Sequence, residues 1–351
     1  LHFVNGPVDA LFMGGGSVLV YLGFLAAGLS GPHRGAAALA GALLWIVNHP
    51  HFCATLHRLY GSRENIREYP VTALGVPFLV AAGAVASFAS PDRVAPYFIK
   101  LFLLWSPYHF AAQSLGLTLV YARRAGLGLR PLERAALSAS VFGTFLFPLA
   151  LAETGTLDLT YFDVPYPHLG LPAWVAGTAR ISMYACGGLF VATAAAVSFR
   201  TRRLIPPIVL VPALAQFVWF VPGAHLASYN EFVPFFHSLQ YLFVAWAVHL
   251  RERRDLSGAP GPGPFVAVQS ARWMALNVLG GVALFWLLPR AAAAGGYPQG
   301  FAEPVVIAAV QIHHFFVDGV IWKLRNPRVA SPLLVSLHDL REPARTETAP
   351  A

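Results

Sequence analysis

Six histidines of this chain lie inside long apolar segments. His49 and His51 fall in WIVNHPHF, His109 in WSPYHFAAQSLG, His237 in VPFFHSLQY, and His313 and His314 in VQIHHFFVDG. A polar or ionisable group deep in hydrocarbon is costly and normally faces the protein interior, where it marks function. Neutral imidazole is the commonest protein ligand for zinc, copper and iron. The apolar segments centre near residues 47, 109, 241 and 312, so His237 sits about four residues, roughly 6 Å, from its own midpoint. Histidines from four segments thus share one depth. The chemistry this suggests is a single metal ion held between helices, with all six histidines as candidate ligands.

Spacing adds candidate partners. His109 and Gln113, His237 and Tyr241, and His314 and Asp318 are each four residues apart, so each pair shares a helix face. An acceptor one turn from a ligating imidazole fixes its tautomer, the role this spacing gives Gln113, Tyr241 and Asp318. Asp318 could also ligate directly, although orienting a histidine or pairing with Arg325 weighs more. His49 and His51 are about 200° apart on a regular helix, so both reach one site only if Pro50 distorts the turn. His57 and His249, beside Arg58 and Arg251, read as interface residues. His2, His33, His168, His225 and His338 fall in loops or tails and receive no role.

The elements that must position these residues follow from composition. Of 351 residues, 56% are hydrophobic and only 11% charged, against roughly 25% charged in a soluble domain. A soluble enzyme, a nucleic-acid module and a disordered chain are excluded. The apolar residues gather in runs long enough to cross roughly 30 Å of hydrocarbon. The reading is an all-α polytopic membrane bundle of about ten helices, at 10–29, 36–57, 71–89, 97–122, 135–153, 180–199, 204–222, 232–250, 270–289 and 302–323. Arginine alternates between loops. Arg58, Arg63 and Arg67 follow the second span, Arg123, Arg124, Arg130 and Arg134 the fourth, and Arg200, Arg202 and Arg203 the sixth. The eighth and tenth are followed by similar clusters, whereas odd-numbered loops carry few. The net charge of +8 therefore reads as orientation, with both termini cytoplasmic in a bacterial inner membrane. Residues 1–332 form one transmembrane domain, 255–266 a flexible linker and 333–351 a polar tail. The loops 154–179 and 221–231 could cover a cavity. Cys53 and Cys186 imply no disulfide framework.

Two segments resemble the bacterial membrane β-carotene dioxygenases related to bacteriorhodopsin-related protein. FFHSLQYLF is similar to that family's His-Ser-x-x-His element, with His237 at its first histidine and Tyr241 in place of the second. IHHFFVDGVIWKLRNP is similar to its Pro-His-x-x-x-x-Asp element, with His313 and Asp318 at the matching positions. His51-Phe52 or His109-Phe110 resembles its His-Phe-Gly element, and NGPVDALF loosely resembles an early element without its histidine. The resemblance implies a membrane-embedded, histidine-bound non-haem iron and an isoprenoid or other apolar substrate taken from the bilayer. From the residues alone two further functions stay open. One is a subunit of a membrane complex whose histidines ligate haem or a chlorophyll-type pigment. The other is a proton-coupled transporter. A transition metal other than iron is compatible with the same ligands, and lipids are the expected surroundings.

Overall fold

The computed structural model describes residues 1–257, 263–322 and 333. Among them are ten long helices: α1 Gly6–Ala26, α2 Arg34–Tyr60, α3 Val71–Ala89, α4 Ala95–Arg124, α5 Pro131–Glu153, α6 Ala173–Thr201, α7 Pro207–His225, α8 Val233–Ser257, α9 Pro264–Ala293 and α10 Gln299–Ile321. Eight are by themselves long and apolar enough to cross a membrane. The other two, α4 and α8, have 30 and 25 residues. They are more polar because they carry inward-facing groups, among them His109, Ser114, His237, Ser238 and Gln240, all buried. The outer surface is apolar, as lipid contact requires: Phe78 and Val71 on α3 and Phe199 on α6 are each more than 70% exposed.

Proline shapes the helices that build the interior. π-helical turns occupy Leu44–Asn48, Val71–Gly75 and Ala283–Leu287, each ending two residues before a proline: Pro50, Pro77 and Pro289. Proline has no N–H for the carbonyl four residues back, and the turn widens around that gap. Helix α9 packs closely on α2. A Cβ on Gly281 would come within 2.8 Å of the His49 backbone, and one on Gly280 within 2.1 Å of Cys53 Sγ. Small residues allow such approach where no hydrophobic force drives helices together.

Both ends of the described chain meet at one point. Arg124, at the end of α4, donates to the carbonyls of Leu1 and Leu333. An even number of crossings returns the chain to its starting side, so this meeting agrees with ten. Just inside the N-terminus, the segment NGPVDALF acts as an anchor. The Asn5 side chain accepts the Val8 N–H, and buried Asp9 accepts the N–H groups of Phe3 and Val4 and the Tyr121 hydroxyl. At the opposite end, residues 154–172 carry a small antiparallel hairpin, β1 Thr160–Tyr161 with β2 Val164–Pro165. It packs on α4 and α10 through Tyr161 against Phe102 and through buried Val164. Lys100 of α4 ties it down, donating to Glu153 and to the Pro167 carbonyl at 2.7 Å each. Glu153 also accepts from Tyr166 and from the Leu169 N–H. Burial and the Glu153 carboxylate push the Tyr166 phenol up.

Two expectations are amended. The expected linker 255–266 is helical at both ends, because α8 runs to Ser257 and the next helix starts at Gly263. Only 258–262 lie outside the described residues. Leu333, placed in the polar tail, is buried against the core beside Phe3 and Tyr121, while 334–351 lie outside the described residues. Cys53 and Cys186 are free thiols.

Candidate metal centre

Helices α2, α4, α8 and α10 each turn one imidazole toward a common point between them. His51, His109, His237 and His314 are all buried. Ring centroids lie 4.4 Å apart for His51 and His314, 4.8 Å for His109 and His314, 4.9 Å for His109 and His237, and 5.3 Å for His51 and His237. One ligand atom each from His51, His109, His314 and Asp318 lies within 4.8 Å of the others.

Among His109, His314 and Asp318 the separations match the edges of a coordination shell, and the set including His51 is wider, reaching 4.8 Å. His314 Nε2 is 3.1 Å from His109 Nε2 and 3.4 Å from Asp318 Oδ2, and His109 Nε2 is 3.8 Å from Asp318 Oδ2. Two donors each about 2.1 Å from one ion stand roughly 3.0–3.4 Å apart at right or tetrahedral angles and at most about 4.2 Å apart when opposed. All three edges fall inside that range.

The protonation pattern fits as well. Ser238 donates its one hydroxyl proton to Asn48 Oδ1 at 2.7 Å. It therefore accepts from His51 Nδ1–H at 3.1 Å. That leaves His51 Nε2 with its lone pair, and this buried atom has no hydrogen-bond partner. Both ring nitrogens of His237 are likewise buried without partners, the ring lying flat on Phe110 at 3.9 Å. Buried polar atoms are rarely left unpaired, and a cation at the convergence satisfies His51 Nε2 with its neighbours. Asp318 is held from behind. Its Oδ1 lies 3.3 Å from both the Thr55 and Tyr241 hydroxyls. Thr55 donates to Tyr241 at 2.6 Å, which leaves the Tyr241 proton for the carboxylate, and Trp322 Nε1 also donates to Tyr241. Its Oδ2 is left facing His109 and His314.

The six candidate histidines thus divide. His51, His109 and His314 join Asp318 at ligand spacing, His237 packs its ring against His51 and His109 without entering that set, and His49 and His313 point elsewhere. His49 stacks on Phe285 of α9 at 4.3 Å. The wide turn at 44–48 lies upstream of both His49 and His51, so α-helical spacing keeps them on opposite faces despite Pro50. His313 is one residue from His314 and so about 100° around α10, where it meets Tyr60 Oη at 3.2 Å. The resemblance aligns His313 with a histidine of that family's element, whereas it is His314 that stands with His51, His109 and Asp318.

Of the expected partners, Tyr241 holds Asp318, while Asp318 itself stands where a ligand would. Gln113 touches no imidazole nitrogen. It donates to the His237 carbonyl and to Gln240 and so holds α8 against α4. Sequence reading missed Asn48, Thr55 and Ser238. The signal was there: Asn48, His51 and Thr55 share one face of α2, and Ser238 and Tyr241 lie three apart on α8. His57 and His249 pair with each other at 5.8 Å, away from the four-ring convergence.

Two cavities reach the centre. One of about 310 Å³ touches His109 and Asp318 and is lined by Gln113, Gln240, Tyr241 and Trp105. The other, about 530 Å³, touches His314 and is lined mainly by apolar side chains of α2, α3, α9 and α10. No protein-family model, curated protein or solved structure matches the chain.

Proposed function

We propose that this chain is an integral-membrane, non-haem iron enzyme, an oxygenase or related oxidoreductase, that oxidises an apolar substrate drawn from the bilayer. The observation that carries the reading is the convergence of His51, His109, His314 and Asp318 between two cavities. Histidine and carboxylate donors together are the ligand types of the 2-His-1-carboxylate non-haem Fe(II) oxygenases, here with one imidazole more than that triad. A bound iron would supply the redox chemistry and the activation of dioxygen. The protein's part is positional. Ser238 and Asn48 fix the His51 tautomer, Tyr241 and Thr55 hold Asp318, and the apolar walls exclude water from the substrate. The resemblance to the membrane carotenoid dioxygenases belongs to this reading, as do the bacterial inner membrane and cytoplasmic termini. The haem and pigment alternative is the weaker one, because these imidazoles turn toward one another and leave no separate face for a macrocycle on each.

The test is metal analysis of the purified protein with its absorption spectrum, alongside oxygen uptake with candidate isoprenoid and fatty substrates. Wild type should carry close to one iron per chain, and His109→Ala should lose it. Equal metal content in the two proteins would end the proposal.

A further inference from the structure

The larger cavity has one polar feature besides the edge of the metal centre. Its walls are apolar side chains such as Phe52, Val80, Ala84, Val85, Phe88 and Leu288. From Pro77 to Phe88 it follows eleven residues of α3, or about 16 Å at the α-helical rise. Val85 and Leu288, 67% and 47% exposed, form an opening on the lipid side. Such a space suits one extended chain entering from the bilayer.

The polar feature is the pair Tyr60 and His313, and its proton arrangement is fixed by the backbone. Pro77 has no N–H to offer the Ala73 carbonyl four residues back. The Tyr60 hydroxyl donates to that carbonyl instead, at 2.9 Å. With its only proton committed, Tyr60 Oη accepts from His313 Nε2–H at 3.2 Å. A neutral imidazole with its proton on Nε2 has a lone pair on Nδ1. What this pair still offers a ligand is therefore acceptors only: Nδ1 of His313 and the remaining lone pair of Tyr60 Oη. A ligand group satisfied here must donate a hydrogen bond.

We infer that the larger cavity binds a long-chain or isoprenoid alcohol, its hydroxyl on Tyr60 and His313 and its tail running toward Phe88. His313 adjoins His314, so the hydroxyl-bearing end lies beside the metal centre. The placement against a reacting centre rests on the iron reading; the binding of the alcohol does not.

The experiment is equilibrium binding of radiolabelled tetradecanol to the purified protein, competed by tetradecane and by methyl tetradecyl ether, with iron measured in the same samples. The alcohol should compete about ten-fold better than the alkane or the ether, the scale of one or two hydrogen bonds. Tyr60→Phe and His313→Phe should each reduce that preference. Ala84→Phe, or Val85→Trp at the exposed mouth should the first misfold, should abolish binding of all three while iron is retained. Equal competition by alcohol and alkane would overturn the assignment. An ether as effective as the alcohol would refute the acceptor-only pair, and undiminished binding in the blocked variants would place the ligand elsewhere. Wild type that binds tetradecanol without iron would leave the alcohol site standing and remove the iron reading.

Discussion

Ser238 is the most informative residue to change, because it touches the proposed centre without being able to ligate. Its hydroxyl accepts from His51 and donates to Asn48, and it is fully buried. Ser238→Ala removes two interhelical hydrogen bonds. Such bonds average about 0.6 kcal/mol in membrane proteins and reach about 1.7, so the fold should lose about 1–3 kcal/mol and survive. The effect on metal is larger in consequence. Without the acceptor at Nδ1, the imidazole proton can move to Nε2 and remove the lone pair aimed at the centre. Losing a partner of this kind typically weakens metal binding 10–100-fold, about 1.4–2.8 kcal/mol. Iron affinity would be read by competition with a chelator of known strength, and the fold by thermal unfolding of metal-free protein. Gln113→Ala, which holds a backbone carbonyl rather than an imidazole, is the matched control and should leave affinity within a few-fold. A folded Ser238→Ala protein with iron affinity within two-fold of wild type would refute the tautomer argument.

Three further outcomes are expected. His314→Ala should abolish iron binding whereas His313→Ala should retain it; the reverse pattern would favour the motif alignment over the geometry. Lys100→Met leaves Glu153 buried without its cation and should destabilise the protein by about 3 kcal/mol, seen as a lower melting temperature with iron content unchanged; loss of iron instead would tie the hairpin to the centre. Reporter fusions at residues 128 and 165 should fall on opposite sides, with 128 cytoplasmic, and fusions reporting the same side would refute the topology.

Much of this architecture is legible in the sequence, and what is not has a physical cause. Helix positions follow from apolar run length, because hydrocarbon thickness sets a length and nothing else competes with it. Histidine depth follows from counting along those runs. Rotation about each helix axis is harder to read. His313 and His314 differ by one residue in depth but by about 100° in direction, and only the packing of α10 on its neighbours decides which meets His109. Asp318 has the spacing of an orienting group, yet the Tyr241 hydroxyl, itself accepting from Thr55, holds its other oxygen and leaves Oδ2 facing the imidazoles. The hairpin at 160–165 gave no strand pattern, since two residues per strand are too few for alternation to show.

The wide turn at Leu44–Asn48 has a bearing on how this centre could change by descent. A π-helical turn amounts to one residue inserted into an α-helix, so the extra residue is taken up within the wide turn and the two halves of α2 keep one angular phase. The upstream half buries Ala36 and Ala40 against the cluster around Trp219 and Tyr229, and the downstream half presents Asn48, His51 and Thr55. Deleting one residue from 44–48 would restore regular winding and leave everything after it on the same faces, because the fifth residue of the wide turn then takes the place of the fourth. The same deletion in the regular helix between Ala40 and the wide turn would instead rotate His51 by about 100° relative to Ala36 and Ala40. A single-codon loss at this turn would thus spare both the convergence and the scaffold, which makes it the place in α2 where relatives of this chain could differ in length and keep the histidine in position.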